Sequence, residues 1–87
     1  MAHRVVWSRR ASQDLEAIAD YIAADSPTYA GIVVKKVVNQ TKSLWIFPRS
    51  GRKDIRELLV YSYRIIYRLQ ESEVVIAAVI HDKRILQ

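Results

Sequence analysis

The stretch from Ser62 to Leu69, SYRIIYRL, decides how this chain folds. One parity holds Tyr63, Ile65, Tyr67 and Leu69; the other holds Arg64, Ile66 and Arg68. Successive side chains of a strand point to opposite faces, so the first set reads as a core face. The second set is unusual, because an isoleucine sits between two arginines on the face the core does not need. Two more runs with a period of two flank it, Ile55 to Val60 before and Glu73 to His81 after. Glu71 and Ser72 separate the last two runs and read as a tight hairpin turn. That turn pairs Leu69 with Val74, Tyr67 with Ile76, Ile65 with Ala78 and Tyr63 with Ile80, all on the core face. The same register sets Arg64, Ile66 and Arg68 beside Val79, Ala77 and Val75, with His81 opposite Ser62. A slip of one residue exchanges the two faces.

Upstream, RVVW from Arg4 to Trp7 is a short apolar strand, and Ser8 after it is a candidate helix N-cap. Ala11, Leu15, Ile18 and Ile22 then recur at helical spacing, predicting a helix over Arg9–Ala24. Ser26 caps a second helix, Pro27 suits its first turn, and Ala30, Val33, Val37, Thr41 and Leu44 form its apolar face, to about Phe47. Its valines are weak helix formers, so packing must hold it. Pro48 and Gly51 in FPRSGRKD mark a loop. The order is strand, helix, helix, then three antiparallel strands. This predicts one α+β domain over residues 1–87, with a helical hairpin packed on an antiparallel sheet.

Composition limits the function. At 87 residues, 51% hydrophobic and 26% charged, the chain is a globular domain near the small end of the range. No run reaches the roughly 18–20 apolar residues of a membrane span, and the N-terminal stretch lacks a signal-peptide pattern. A cytoplasmic protein with no membrane association is expected. There is no cysteine, and His3 and His81 lie far apart, so no metal site and no cofactor is expected.

The net charge is +5 and the isoelectric point about 9.8, which suits an acidic partner. The charge concentrates late in the chain. RSGRKDIR from Arg49 to Arg56 has four basic residues, Arg49, Arg52, Lys53 and Arg56, against Asp54 alone. Arg64, Arg68, Lys83 and Arg84 follow. Arg9 and Arg10 occupy a first helical turn, where cations oppose the helix dipole; that unfavourable placement suggests a use in pairing with an acidic partner. The outer sheet face, apolar with a rim of arginine and a histidine, is the candidate binding surface.

Five segments together resemble the ParE/RelE superfamily of toxins from type II toxin–antitoxin modules: VVWSRRASQDLEAIADYIAADSP, FPRSGR, IREL, YRIIYR and VIHDKRIL. They run in order from Val5 to Leu86, essentially the whole chain. The resemblance implies a compact toxin held inactive in a hetero-oligomer by a cognate antitoxin with an acidic, ParD/RelB-like segment. It also implies one of two activities, inhibition of DNA gyrase or cleavage of mRNA on the ribosome. For the nuclease, Arg64, His81 and Arg84 are the implied catalytic set. RNA cleavage through the 2′-hydroxyl needs a base, an acid and positive charge at the phosphate. Arginine suits that last task. For the inhibitor, nothing is catalytic. Arg9, Arg10, Arg49, Arg52, Lys53, Arg56, Arg64, Ile66, Arg68, His81, Lys83 and Arg84 then form the target- or antitoxin-binding surface. Three features favour the gyrase-directed branch. The junction DLEAIADYIAADSP resembles it more closely. The chain ends Ile85-Leu86-Gln87, without the tyrosine or histidine that RelE-like nucleases tend to carry there. The charge is modest for a ribosome binder, whose affinity rests on phosphate neutralisation. A plain nucleic-acid-binding domain fits less well, since the outer face offers no stacking aromatics.

Overall fold

The computed structural model describes residues 4–46, 55–70 and 72–81. Strand β1 (Arg4–Trp7) leads through Ser8 into helix α1 (Arg9–Ala23). The Ser8 hydroxyl accepts a hydrogen bond from the Ala11 N–H at 3.0 Å, the N-cap that the sequence suggests. The chain then turns within three residues: the N–H groups of Asp25 and Ser26 both bond back to the Ile22 carbonyl. Ser26 caps α2 (Pro27–Lys42) through the Tyr29 N–H, with Pro27 at the start of the helix. A link this short folds the helices into a hairpin. Helix α2 ends sooner than its apolar spacing suggests and tightens into a 3-10 turn, Ser43–Ile46. Phe47, the expected end, lies outside the described residues.

The other strands are β2 (Ile55–Val60), β3 (Tyr63–Leu69) and β4 (Glu73–His81). They form a four-stranded sheet in the order β1-β4-β3-β2. The three C-terminal strands are antiparallel, as expected, whereas β1 joins β4 in parallel, making the sheet mixed. Between β2 and β3 only Tyr61 and Ser62 remain, and Tyr61 carries a left-handed φ of 54°.

The helical hairpin covers one sheet face. Val33 and Val37 of α2 and Leu44 of the 3-10 turn meet Ile65, Tyr67 and Leu69 of β3 and Val74, Ile76 and Val79 of β4 in one buried cluster. Leu15, Ile18 and Ile22 of α1 pack against it partly buried, together with Val5 and Trp7 of β1. Thr41, buried among them, donates its hydroxyl to the Val38 carbonyl at 2.8 Å and leaves no unpaired donor.

The register between β3 and β4 follows the expected pairing only from the hairpin to Tyr67, opposite Ile76. There β4 gains one residue. Ile66 pairs with Ala78, Ile65 with Val79, Arg64 with Ile80 and Tyr63 with His81, leaving Ala77 as a β-bulge. Every β4 side chain beyond the bulge therefore lies on the face opposite to the one expected. Val79 joins the core in place of Ala78, Ile80 moves to the outer face and His81 moves to the helical side.

Candidate functional site

The outer face is built as rows across three strands, because directly paired residues share a face with Cβ atoms roughly 5 Å apart. Leu59, Arg64 and Ile80 form one row, and Glu57, Ile66 and Ala78 the next. Arg68, Val75 and Val6 continue it toward β1. Leu59 and Ile80 are exposed at 57% and 40%, flanking the guanidinium of Arg64. Arg64 is paired with the carboxylate of Glu57, its diagonal neighbour on β2. The result is an apolar surface with one carboxylate-held arginine at its centre and Arg68 exposed at its edge.

Of the expected residues, the structure brings Arg64, Ile66 and Arg68 together here. It does not bring His81. Its ring lies 5.4 Å from that of Tyr63, tilted by 59°, at the mouth of a cleft of about 410 Å³ lined by Ala17, Ile18 and Tyr21. Burial pushes the Tyr63 phenol above its ordinary pKa, and the neighbouring Tyr29 and Tyr21 add to the shift. Arg56, expected in the binding surface as part of the basic stretch, lies off the outer face, since its register partner Tyr67 belongs to the core. Burial raises the Tyr67 pKa as well, with Arg56 opposing the rise. Arg10 has a partner within the chain: its Nε lies 3.3 Å from Oδ2 of Asp14. Arg9 is exposed in the first turn of α1. Arg49, Arg52, Lys53, Lys83 and Arg84 lie outside the described residues.

Glu57, Leu59 and Ile80 belong to the outer face without standing among the residues expected from the sequence. Glu57 and Leu59 had a signal, since in IRELLV they share the parity opposite to Leu58 and Val60. Ile80 had none, because its face depends on the bulge.

The hairpin carries a second surface. A groove of about 620 Å³ runs between the helices over Ala19, Ala23, Ala30, Gly31, Val34 and Val38, with Asp20, Lys35, Asn39 and Lys42 along it. A neighbouring hollow shares Ala19, Val34 and Val38 and extends to Trp7 and Leu15. Small residues at the helix crossing make the groove, and a Cβ added at Gly31 meets nothing within 4 Å. Among the described residues there is no group of three or more histidine, aspartate or glutamate side chains placed to hold a metal. No described helix is long and apolar enough to cross a membrane.

Comparison with known proteins agrees with this architecture. The family model for the ParE toxin of type II toxin-antitoxin system, parDE, matches residues 5–86. The chain is 36% identical over 86 residues to Toxin RelE2 of Caulobacter vibrioides, covering 94% of this chain and 98% of that protein. It is also 36% identical over 84 residues to the putative toxin Y4kP of Sinorhizobium fredii, covering 90% and 86% of the two chains. A chain of the chromosomal ParDE TA system from P. aeruginosa shares the fold at a TM-score of 0.78 and 24% identity, covering 93% of this chain and 97% of that one.

Proposed function

The chain belongs to the ParE toxin family of type II toxin–antitoxin systems, and from that premise we propose that it acts in the cytoplasm as an inhibitor that binds DNA gyrase and arrests growth. The binding surface is the outer sheet face, with Leu59, Ile66 and Ile80 as apolar anchors and Arg64 at the centre. One observation carries the choice of binding over catalysis: Arg64 and His81 lie on opposite faces of the sheet. Cleavage of RNA requires the phosphate-stabilising cation and the proton-transfer groups around one phosphate. Contiguous exposed apolar side chains around a held arginine are instead the pattern of a protein-binding patch, and arginine is among the residues that most often dominate such interfaces.

The ribonuclease reading keeps one specific support. Glu57 stands beside Arg64, so a carboxylate base and a phosphate-binding guanidinium share a face. A cognate antitoxin holds the toxin inactive in either case. An acidic, apolar-studded segment that folds as it docks suits the hairpin groove, whose floor is apolar and whose edge bears Lys35 and Lys42. Purified toxin added to a gyrase supercoiling reaction and to translating ribosomes separates the readings. Blocked supercoiling with intact mRNA supports binding. Intact supercoiling with cut mRNA, lost in Glu57→Gln, supports cleavage.

A further inference from the structure

The bulge in β4 is held from outside the sheet. Two side chains bond to this stretch of β4, Ser8 from the N-cap of α1 and Asp14 from within the helix. The Ser8 N–H donates to the Ile76 carbonyl at 3.0 Å, the last rung of the β1–β4 ladder, and beyond that rung the Ser8 hydroxyl donates to the carbonyl of Ala77, the extra residue itself, at 3.1 Å. Two residues further along, the Val79 N–H donates to Oδ2 of Asp14 at 3.0 Å. Arg10 closes on that same oxygen and fixes the carboxylate. A bulge disrupts the ladder and leaves backbone groups without strand partners, and such groups, once buried, must find others. Here the side chains of Ser8, the cap of α1, and of Asp14, within it, supply them.

The apolar pattern of β4 does not by itself choose the bulged register. VVIAAVI is apolar at both parities, so a straight ladder also covers the core. In the straight ladder Ile65 would face Ala78, Arg64 would face Val79 and Tyr63 would face Ile80. His81 would then arrive on the outer face, and Ile80 would leave it.

We propose that Asp14, supported by Ser8 and Arg10, is a positioning residue that locks the β4 register and thereby decides that Ile80, and not His81, stands beside Arg64. The register half of this claim stands on geometry alone. Its functional half, that the lock shapes the target-binding surface, rests on the outer-face reading given above.

The test compares wild type, Asp14→Asn and Asp14→Ala by NMR. Asparagine retains a carbonyl oxygen that can accept from the Val79 N–H, and alanine retains nothing. The ring-to-ring cross-peak between Tyr63 and His81 is expected in wild type and Asp14→Asn and absent in Asp14→Ala. The Val79 amide is expected to exchange roughly tenfold faster or more in Asp14→Ala. Loss of the cross-peak in both variants, or in neither, overturns the lock. If Asp14→Ala alone does not fold, deleting Ala77 in that background removes the extra residue and the need for the lock. A folded double variant with the cross-peak restored supports the proposal, and an unfolded one overturns it. Gyrase inhibition supplies the functional readout, expected to weaken roughly tenfold or more in Asp14→Ala. Ile80→Ala is the control: full inhibition by that variant removes the outer-face reading, while the cross-peak still decides the register.

Discussion

Truncating Ile65 and truncating Leu59 should have opposite consequences, although the two residues sit on adjacent paired strands. Ile65 is fully buried at the centre of the core, whereas Leu59 is 57% exposed on the outer face. Ile65→Ala deletes three buried carbons, worth about 2.4 kcal/mol at roughly 0.8 kcal/mol each. The cavity left between Leu58, Val79 and the helices adds to this, within the usual range of about 2–5 kcal/mol for buried aliphatics. A loss of about 3 kcal/mol corresponds to a fall of about 12–24 °C in melting temperature for a domain of this size. Urea unfolding followed by circular dichroism should show the midpoint falling with the slope unchanged. Leu59→Ala should cost less than about 0.5 kcal/mol, the range for exposed positions. It should nevertheless weaken gyrase inhibition by roughly tenfold, as expected for an anchor of the binding patch. Equal destabilisation by the two substitutions would refute the division of the sheet into a core face and a binding face.

Three further outcomes follow from particular residues. Tyr61 holds a left-handed φ that costs a non-glycine residue about 1–2 kcal/mol, so Tyr61→Gly should be more stable than Tyr61→Ala by about 1 kcal/mol; equal urea midpoints would contradict the turn geometry. Tyr63 and Tyr67 both have pKa values raised above the ordinary 10.0, chiefly by burial. Their contribution to stability is complete below that value and lost as pH climbs through it toward the folded values, so unfolding midpoints should fall as pH rises past 10.0, and a flat profile would argue against burial of the phenols. Charge reversal at Lys35 and Lys42 should slow association with the antitoxin by roughly tenfold at low salt and flatten its salt dependence, with gyrase inhibition unchanged; an unaltered rate would remove the hairpin groove from that interface.

The helices were legible because local signals set them: Ser8 and Ser26 as caps, Pro27 at a helix start, apolar residues at helical spacing. The faces of β3 were legible for a similar reason, since SYRIIYRL separates its parities clearly, and the hairpin carried the register as far as Tyr67 and Ile76. Beyond that point β4 offered no alternation to read. The groups that settle its register, Ser8 and Asp14, lie 69 and 65 residues from their partners Ala77 and Val79. No local pattern encodes such a contact. Asp14 reads in sequence as part of a solvated helix face, yet its carboxylate turns inward to the sheet. The same absence of a local signal is why the sequence pattern sets His81 rather than Ile80 beside Arg64. The parallel joining of β1 to β4 was likewise beyond the period-two signal, which marks strands without giving their direction.

Binding of gyrase by the outer sheet face is tested by a supercoiling assay with purified gyrase, wild-type toxin and Arg64→Glu. The substitution places a second carboxylate beside Glu57 at the centre of the outer face and leaves the hairpin groove untouched. Wild-type toxin should block supercoiling, Arg64→Glu should not, and both proteins should still bind the antitoxin. Normal supercoiling in the presence of wild-type toxin, or full inhibition by Arg64→Glu, would contradict binding through this face.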